Sequence, residues 1–157
     1  MARGDTRNKK AKQVTLEDYK NFVSFYNKNV QSENRPFSFF VKSMTRMVRN
    51  QVITILKTKK MPVVCQAYNK LIVIQSNGDV FPCEYLNKKL GNLKKFNYDI
   101  KKILGLSENK KINRFIKRKS CWCTWECALT NNIACDPKQY PYLLWQIIKD
   151  NISYLKF

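Results

Sequence analysis

The stretch CQAYNKLIVIQSNGDVFPC, residues 65–83, is where the helical periodicity of the chain gives way to short β-branched runs. The runs are broken by two turn signals, Tyr68-Asn69-Lys70 and Ser76-Asn77-Gly78-Asp79, so the segment reads as short strands with a tight hairpin at Asn77-Gly78. Such a hairpin sets Cys83 opposite about residue 72. Cys65 then lies about seven residues past that point, on the order of 23 Å away if the strand ran straight. The chain must fold back if the two thiols are to meet, and Tyr68-Asn69-Lys70 stands where that reversal is needed.

Working outward, Thr15 and Asp18 form a capping-box pattern with Asp in the Glu position. It opens a helical run of Leu16, Tyr19, Phe22, Val23 and Tyr26 that predicts a helix over about Leu16 to Lys28. After the polar break QSENRP, the spacing of Phe37, Phe40, Val41, Met44, Met47, Val48, Ile53 and Leu56 predicts a second, longer helix with these residues in the core. Beyond the hairpin, FNYDIKKIL and ENKKINRFIKR read as two short basic helices, and PYLLWQIIKDNISYL as a terminal helix following Pro141. The texture changes near residues 58–61. The expected organisation is a helical segment over 1–60, a unit built on the hairpin and the cysteines over 61–135, and a C-terminal helix over 136–157. The fold class is α+β: a small β-hairpin with surrounding helices.

The chain has 157 residues, 44% of them hydrophobic, with few Gly and Pro, which argues for a folded chain of domain size. The opening MARGDTRNKKAKQVTLED lacks the apolar core of a signal peptide, and the longest apolar runs are far too short to cross a bilayer. A cytoplasmic, reducing location and no membrane partner are the expectations. Lys and Arg total 30 against 11 acidic residues, a formal charge of +19, which by itself suggests phosphate-rich partners. The cations are mostly Lys spread singly and in pairs, so nucleic acid is a possible partner but not the favoured one.

In a reducing compartment clustered cysteines are more often metal ligands or redox groups than disulfides. Three of the six stand in CWCTWEC, residues 121–127, and the chain has no histidine. A zinc site would therefore be all-cysteine or borrow a carboxylate, and an iron–sulfur cluster is equally compatible. A thiol nucleophile would lack the histidine that normally activates it. The candidate ligands are Cys65, Cys83, Cys121, Cys123 and Cys127, with Cys135 standing apart in NNIACDPK. Two thiols flanking a hairpin and a compact cysteine loop from distant sequence would tie the fold together on metal binding.

At these residues the chain resembles the SPASM domain, the C-terminal auxiliary cluster domain of many radical S-adenosylmethionine enzymes. Cys65, twelve residues, Gly78, DVFP and Cys83 match that family's opening signature. NGDVFPC followed by Gly91-Asn92-Leu93 is similar to its hairpin-to-helix wording, and Cys123 and Cys127 are similar to its closing C-x3-C pair. The resemblance, over about Met61 to Cys127, implies a cysteine-ligated auxiliary four-iron four-sulfur cluster. With six cysteines where two complete all-cysteine clusters need eight, one cluster is expected, with Cys121 a rival or fifth contact. The resemblance also exposes a departure: no cysteine precedes Cys65, so the CxxxCxxC loop of the radical enzymes is missing.

The segment opening ARGDT and VTLEDYKNFVSFYNKN resembles the joint between barrel and auxiliary domain. The resemblance thus implies an iron–sulfur binding part of a radical enzyme, not catalytic alone, with its core supplied by another chain or lost by truncation. Its cluster would serve electron transfer or substrate anchoring, and Trp122, Trp125, Tyr85 and Phe81 are candidates to shield it. The alternative is an all-cysteine zinc module contacting nucleic acid through Lys101, Lys102, Lys110, Lys111, Arg114, Lys117, Arg118 and Lys119.

Overall fold

The computed structural model describes residues 14–29, 37–118 and 121–152; the basic arm before Val14, the break QSENRP and Lys119 lie outside them. The first helix, α1 (Leu16–Asn29), begins at the expected capping box. The Asp18 N–H donates to Thr15 Oγ1 at 3.1 Å, and the Thr15 hydroxyl returns a bond to Asp18 Oδ2 at 2.7 Å. The helix buries Tyr19.

The second helix, α2 (Ser38–Thr58), is the spine of the helical layer. It packs against α1 and against two later helices, α5 (Glu126–Ala134) and α6 (Tyr140–Ile152). Its inward stripe is Met44, Met47, Val48, Gln51, Val52 and Ile55, the 3–4 spacing of one helix face. Phe37, Phe40 and Val41 are exposed instead of buried, as are Phe22 and Phe25 on α1. Periodicity names the face of a helix but not how far along it the neighbours reach. The helix stops at Lys59, which takes a left-handed φ of 56° while its N–H donates to the Ile55 carbonyl at 2.8 Å.

The hairpin is present. β1 (Val73–Ile74) pairs antiparallel with β2 (Asp79–Phe81) in the register Val73 to Phe81 and Ile74 to Val80. Its turn differs from the expected two-residue form. The Gly78 N–H donates to the Gln75 carbonyl at 2.8 Å and the Gln75 N–H to the Asp79 carbonyl at 2.9 Å. Gly78 is left-handed at φ 91°, while Ser76 and Asn77 are not. A two-residue turn with both central residues left-handed is thereby excluded; the loop is a longer turn closed by a left-handed glycine. A third strand, β3 (Gly91–Asn92), pairs antiparallel with β2, giving the order β1-β2-β3. Two residues carry no alternation, so nothing in the sequence announced it.

The chain reversal at Tyr68 is also present. The Lys70 N–H donates to the Gln66 carbonyl at 2.8 Å, Tyr68 adopts φ 73°, and its N–H bonds the Leu71 carbonyl at 2.8 Å. After a turn of 3₁₀ helix at Leu93–Phe96 come two short helices, α3 (Ile100–Gly105) and α4 (Ser107–Lys117). Asn109 of α4 is buried and donates from Nδ2 to the Leu90 carbonyl at 2.8 Å and the Ile103 carbonyl at 2.7 Å, fastening α4 to both the sheet's approach and α3.

One apolar core joins the layers: Tyr19, Met47, Val52, Ile55, Val80, Ile103, Ile116, Leu129 and Ile133 belong to a single buried cluster. The architecture is mostly helical with a small three-stranded antiparallel sheet, an α+β fold. The inner face of α6 is partly polar. Asp150 accepts from Ser43 Oγ at 2.8 Å and Gln146 Nε2 at 3.0 Å, and pairs with Arg46 at 2.6 Å. No helix among the described residues is long and apolar enough to cross a membrane.

Candidate metal centre

Four of the five candidate cysteines line one hollow at the junction of hairpin and helices: Cys65, Cys83, Cys121 and Cys123. Each arrives for a local reason. Cys65 is carried back toward Cys83 by the reversal at Tyr68, whose N–H also reaches the Pro82 carbonyl at 3.3 Å. Cys83 follows β2 directly, and the Leu86 N–H donates to its sulfur at 3.2 Å. Cys121 and Cys123 lie on the irregular segment between α4 and α5, which the burial of Trp125 anchors at its far end.

Cys127 is placed differently from the other candidates. It stands exposed in the first turn of α5 and is not on the wall of the hollow. Cys135, at the other end of the same helix, is half-buried with its sulfur 3.5 Å from Asn131 Oδ1, also away from the hollow.

The rest of the wall is largely apolar: Met61, Ala67, Leu86, Ile116 and Ala128, with Tyr85 and Trp122 among the four aromatic candidates for shielding. Trp125 is buried nearby, and neither it nor Phe81 lines the hollow. Lys59 Nζ stands 5.0 Å from the Trp122 ring centroid, a cation held over the ring beside the site. The hollow has a volume of about 390 Å³, counting the part open to solvent.

Burial pushes the Cys121 thiol up to about 11, and the neighbouring sulfurs of Cys65, Cys123 and Cys83 add to the rise. The Cys65 thiol is also raised, first by burial and then by Cys83, against the opposing pull of the Ala67 N–H and the Asn132 amide. Cys65 and Cys121 therefore sense the sulfurs around them, and without a cation beside them these two hold their protons at neutral pH. Ligation by iron would take those protons off.

Two observations test whether the residues suit an iron–sulfur group. The donors are thiols, in an apolar-walled pocket where N–H groups are aimed at sulfur, the pattern that stabilises cluster thiolates. There is also an orphaned donor. Asn132 is wholly buried, its Oδ1 accepts from the Gln66 N–H at 2.7 Å, and its Nδ2 makes no hydrogen bond of ordinary geometry although it stands close enough to the Cys65 sulfur to favour the thiolate. Both fit the group. Among the described residues, no set of three or more Cys, Asp or Glu side chains is gathered closely enough to hold a single metal ion.

Asn132 and Leu86 carry no mark in the sequence pattern. A backbone N–H has no sequence signal, and the only cue to Asn132 is an Asn pair inside a helix, where Asn is unfavourable unless it has a specific bond to make. The exposed cations Lys101, Lys102, Lys110, Lys111, Arg114, Lys117 and Arg118 lie on or at the end of α3 and α4.

The model of the SPASM family, described as an iron–sulfur cluster-binding domain, matches residues 65–128. No curated protein and no solved structure matches the chain. The family match supports iron–sulfur cluster binding by residues 65–128 and gives no support to the zinc alternative.

Proposed function

We propose, from the match of residues 65–128 to the SPASM family model, that this chain holds one four-iron four-sulfur cluster on Cys65, Cys83, Cys121 and Cys123, as the electron-carrying part of a radical S-adenosylmethionine system. The observation that carries the reading is the convergence of these four thiols on one apolar hollow. When bound, a cluster of this kind supplies one-electron transfer at a potential set by burial and by hydrogen bonds to sulfur.

The chain's own residues supply the rest. The Leu86 and Ala67 N–H groups steady the sulfurs of Cys83 and Cys65, and Trp122, Tyr85 and Ile116 keep water from the inner wall. Four thiols leave each iron of one cluster with a protein ligand, which favours electron transfer over anchoring a substrate at an open iron. The absence of a CxxxCxxC loop from this sequence favours a radical-generating core contributed by another chain or by residues beyond it.

The test is iron and acid-labile sulfide content, with a visible spectrum, on protein purified without oxygen. About four iron and four sulfide per chain with broad brown absorption is expected. Serine at Cys65, Cys83, Cys121 or Cys123 should each abolish or degrade the cluster, and Cys127→Ser should keep it. Full cluster content in Cys83→Ser, or loss in Cys127→Ser with retention in Cys121→Ser, would overturn the ligand assignment. Stoichiometric zinc without colour would overturn the function.

A further inference from the structure

Asn132 lies on α5, well past the cysteine loop, and has no part in the ligand set proposed above. Its side chain is fully buried. The orientation of its amide is decided by one bond: Oδ1 takes the Gln66 N–H at 2.7 Å, so Nδ2 is turned to the other side. Gln66 follows Cys65 directly, and Nδ2 is left near the Cys65 sulfur, close enough to favour its thiolate but without a hydrogen bond of ordinary geometry. Buried amide donors are almost always paired, and those that are not call for a reason. Here the reason is chemical: a protonated thiol is a weak acceptor, whereas an iron-bound thiolate carries charge and accepts strongly.

We propose that Asn132 is a positioning residue that donates from Nδ2 to the Cys65 thiolate in the cluster-loaded protein, and that this bond raises the cluster's reduction potential. The inference rests on the ligand reading given above. Its sign follows from charge. Reduction adds one negative charge, supplied by an external one-electron donor and shared by the cluster and its sulfurs. A donor aimed at sulfur therefore stabilises the reduced form more than the oxidised one. Ile133 and Leu129, both fully buried on α5, hold the helix and thereby the amide in place.

The experiment begins with iron and sulfide content of the purified full chain, and proceeds to pulsed electron paramagnetic resonance on the reduced cluster after selective nitrogen-15 labelling of asparagine. The expected result is a nitrogen coupling that is lost in Asn132→Asp, which keeps the acceptor for Gln66, and in Asn132→Leu. Asn131→Ala, which leaves Asn132 intact, should retain it. In a redox titration Asn132→Leu should lower the reduced-to-oxidised ratio at fixed potential roughly tenfold, a shift of about 59 mV for one electron.

A loaded wild-type protein with no asparagine coupling, or a coupling that survives in either Asn132 variant, would overturn the inference while leaving the cluster reading intact. So would a coupling that disappears in Asn131→Ala. A preparation without iron and sulfide would overturn both.

Discussion

Gly78→Ala tests the hairpin on which the site is hung. Gly78 has φ 91°, a left-handed backbone that costs an L-residue roughly 1–2 kcal/mol. The new Cβ would also come 3.3 Å from Asn92 Oδ1, a contact that Asn92 cannot escape freely. Its Nδ2 donates to Asp79 Oδ1 at 2.7 Å and to the Asn77 carbonyl at 3.2 Å, and its Oδ1 takes the Lys94 N–H at 3.0 Å. Weakening one of these bonds adds about 1 kcal/mol, and the stiffer unfolded chain of the alanine variant returns about 0.7 kcal/mol. The net expectation is a loss of roughly 2 kcal/mol, or about 4–8 °C in Tm for a chain of this size.

Gly105→Ala is the matched control. Gly105 is the last residue of α3 and a Cβ there meets nothing within 4 Å, so the same substitution should stabilise by about 0.5–1 kcal/mol. Thermal and urea unfolding of both variants against the parent decide the matter. A Gly78→Ala protein melting within about 1 °C of the parent, or two variants shifting in the same direction, would refute the reasoning.

Asp150→Ala removes the acceptor shared by Ser43, Gln146 and Arg46 at the α2–α6 contact and should cost about 3 kcal/mol in urea unfolding; a cost under about 1 kcal/mol would show the network to be dispensable. In metal-free protein, alkaline stability should fall early. The Cys121 thiol is raised from an ordinary 9.0 to about 11, and Cys65, Tyr19 and Tyr68 are raised too, chiefly by burial. The folded state thus keeps protons that the unfolded state gives up, so their stabilisation is present below about pH 9 and drains away as pH climbs through about 11. Urea midpoints measured across that range should decline, and less steeply in Cys121→Ser; a flat profile would contradict the direction of these shifts.

Much of this fold is legible in the sequence wherever the signal is local. The Thr15–Asp18 box, the helical spacing after it, the strand pair around Ser76–Gly78 and the reversal at Tyr68 are each written in contiguous residues, because capping, periodicity and turn conformation depend on near neighbours. The exposure of Phe37, Phe40 and Val41 is not legible there, since a helix face is buried only where another element arrives to cover it. Nor is the form of the turn, which the sheet register and the left-handed Gly78 settle together.

For the site, sequence alone determined the chemistry available: six thiols, no histidine, a cysteine–glycine–cysteine spacing around a hairpin and a cluster of three further on. Only the tertiary structure decided which of them meet. C-x-C-x3-C looks like a single loop, yet α5 begins at Glu126, so Cys121 and Cys123 line the hollow from the irregular segment before it while Cys127 is carried into a helical turn and outward. The same helix brings Asn132 against Cys65 across 67 residues of sequence, a long-range approach that no local pattern encodes because packing, and not neighbouring residues, sets it.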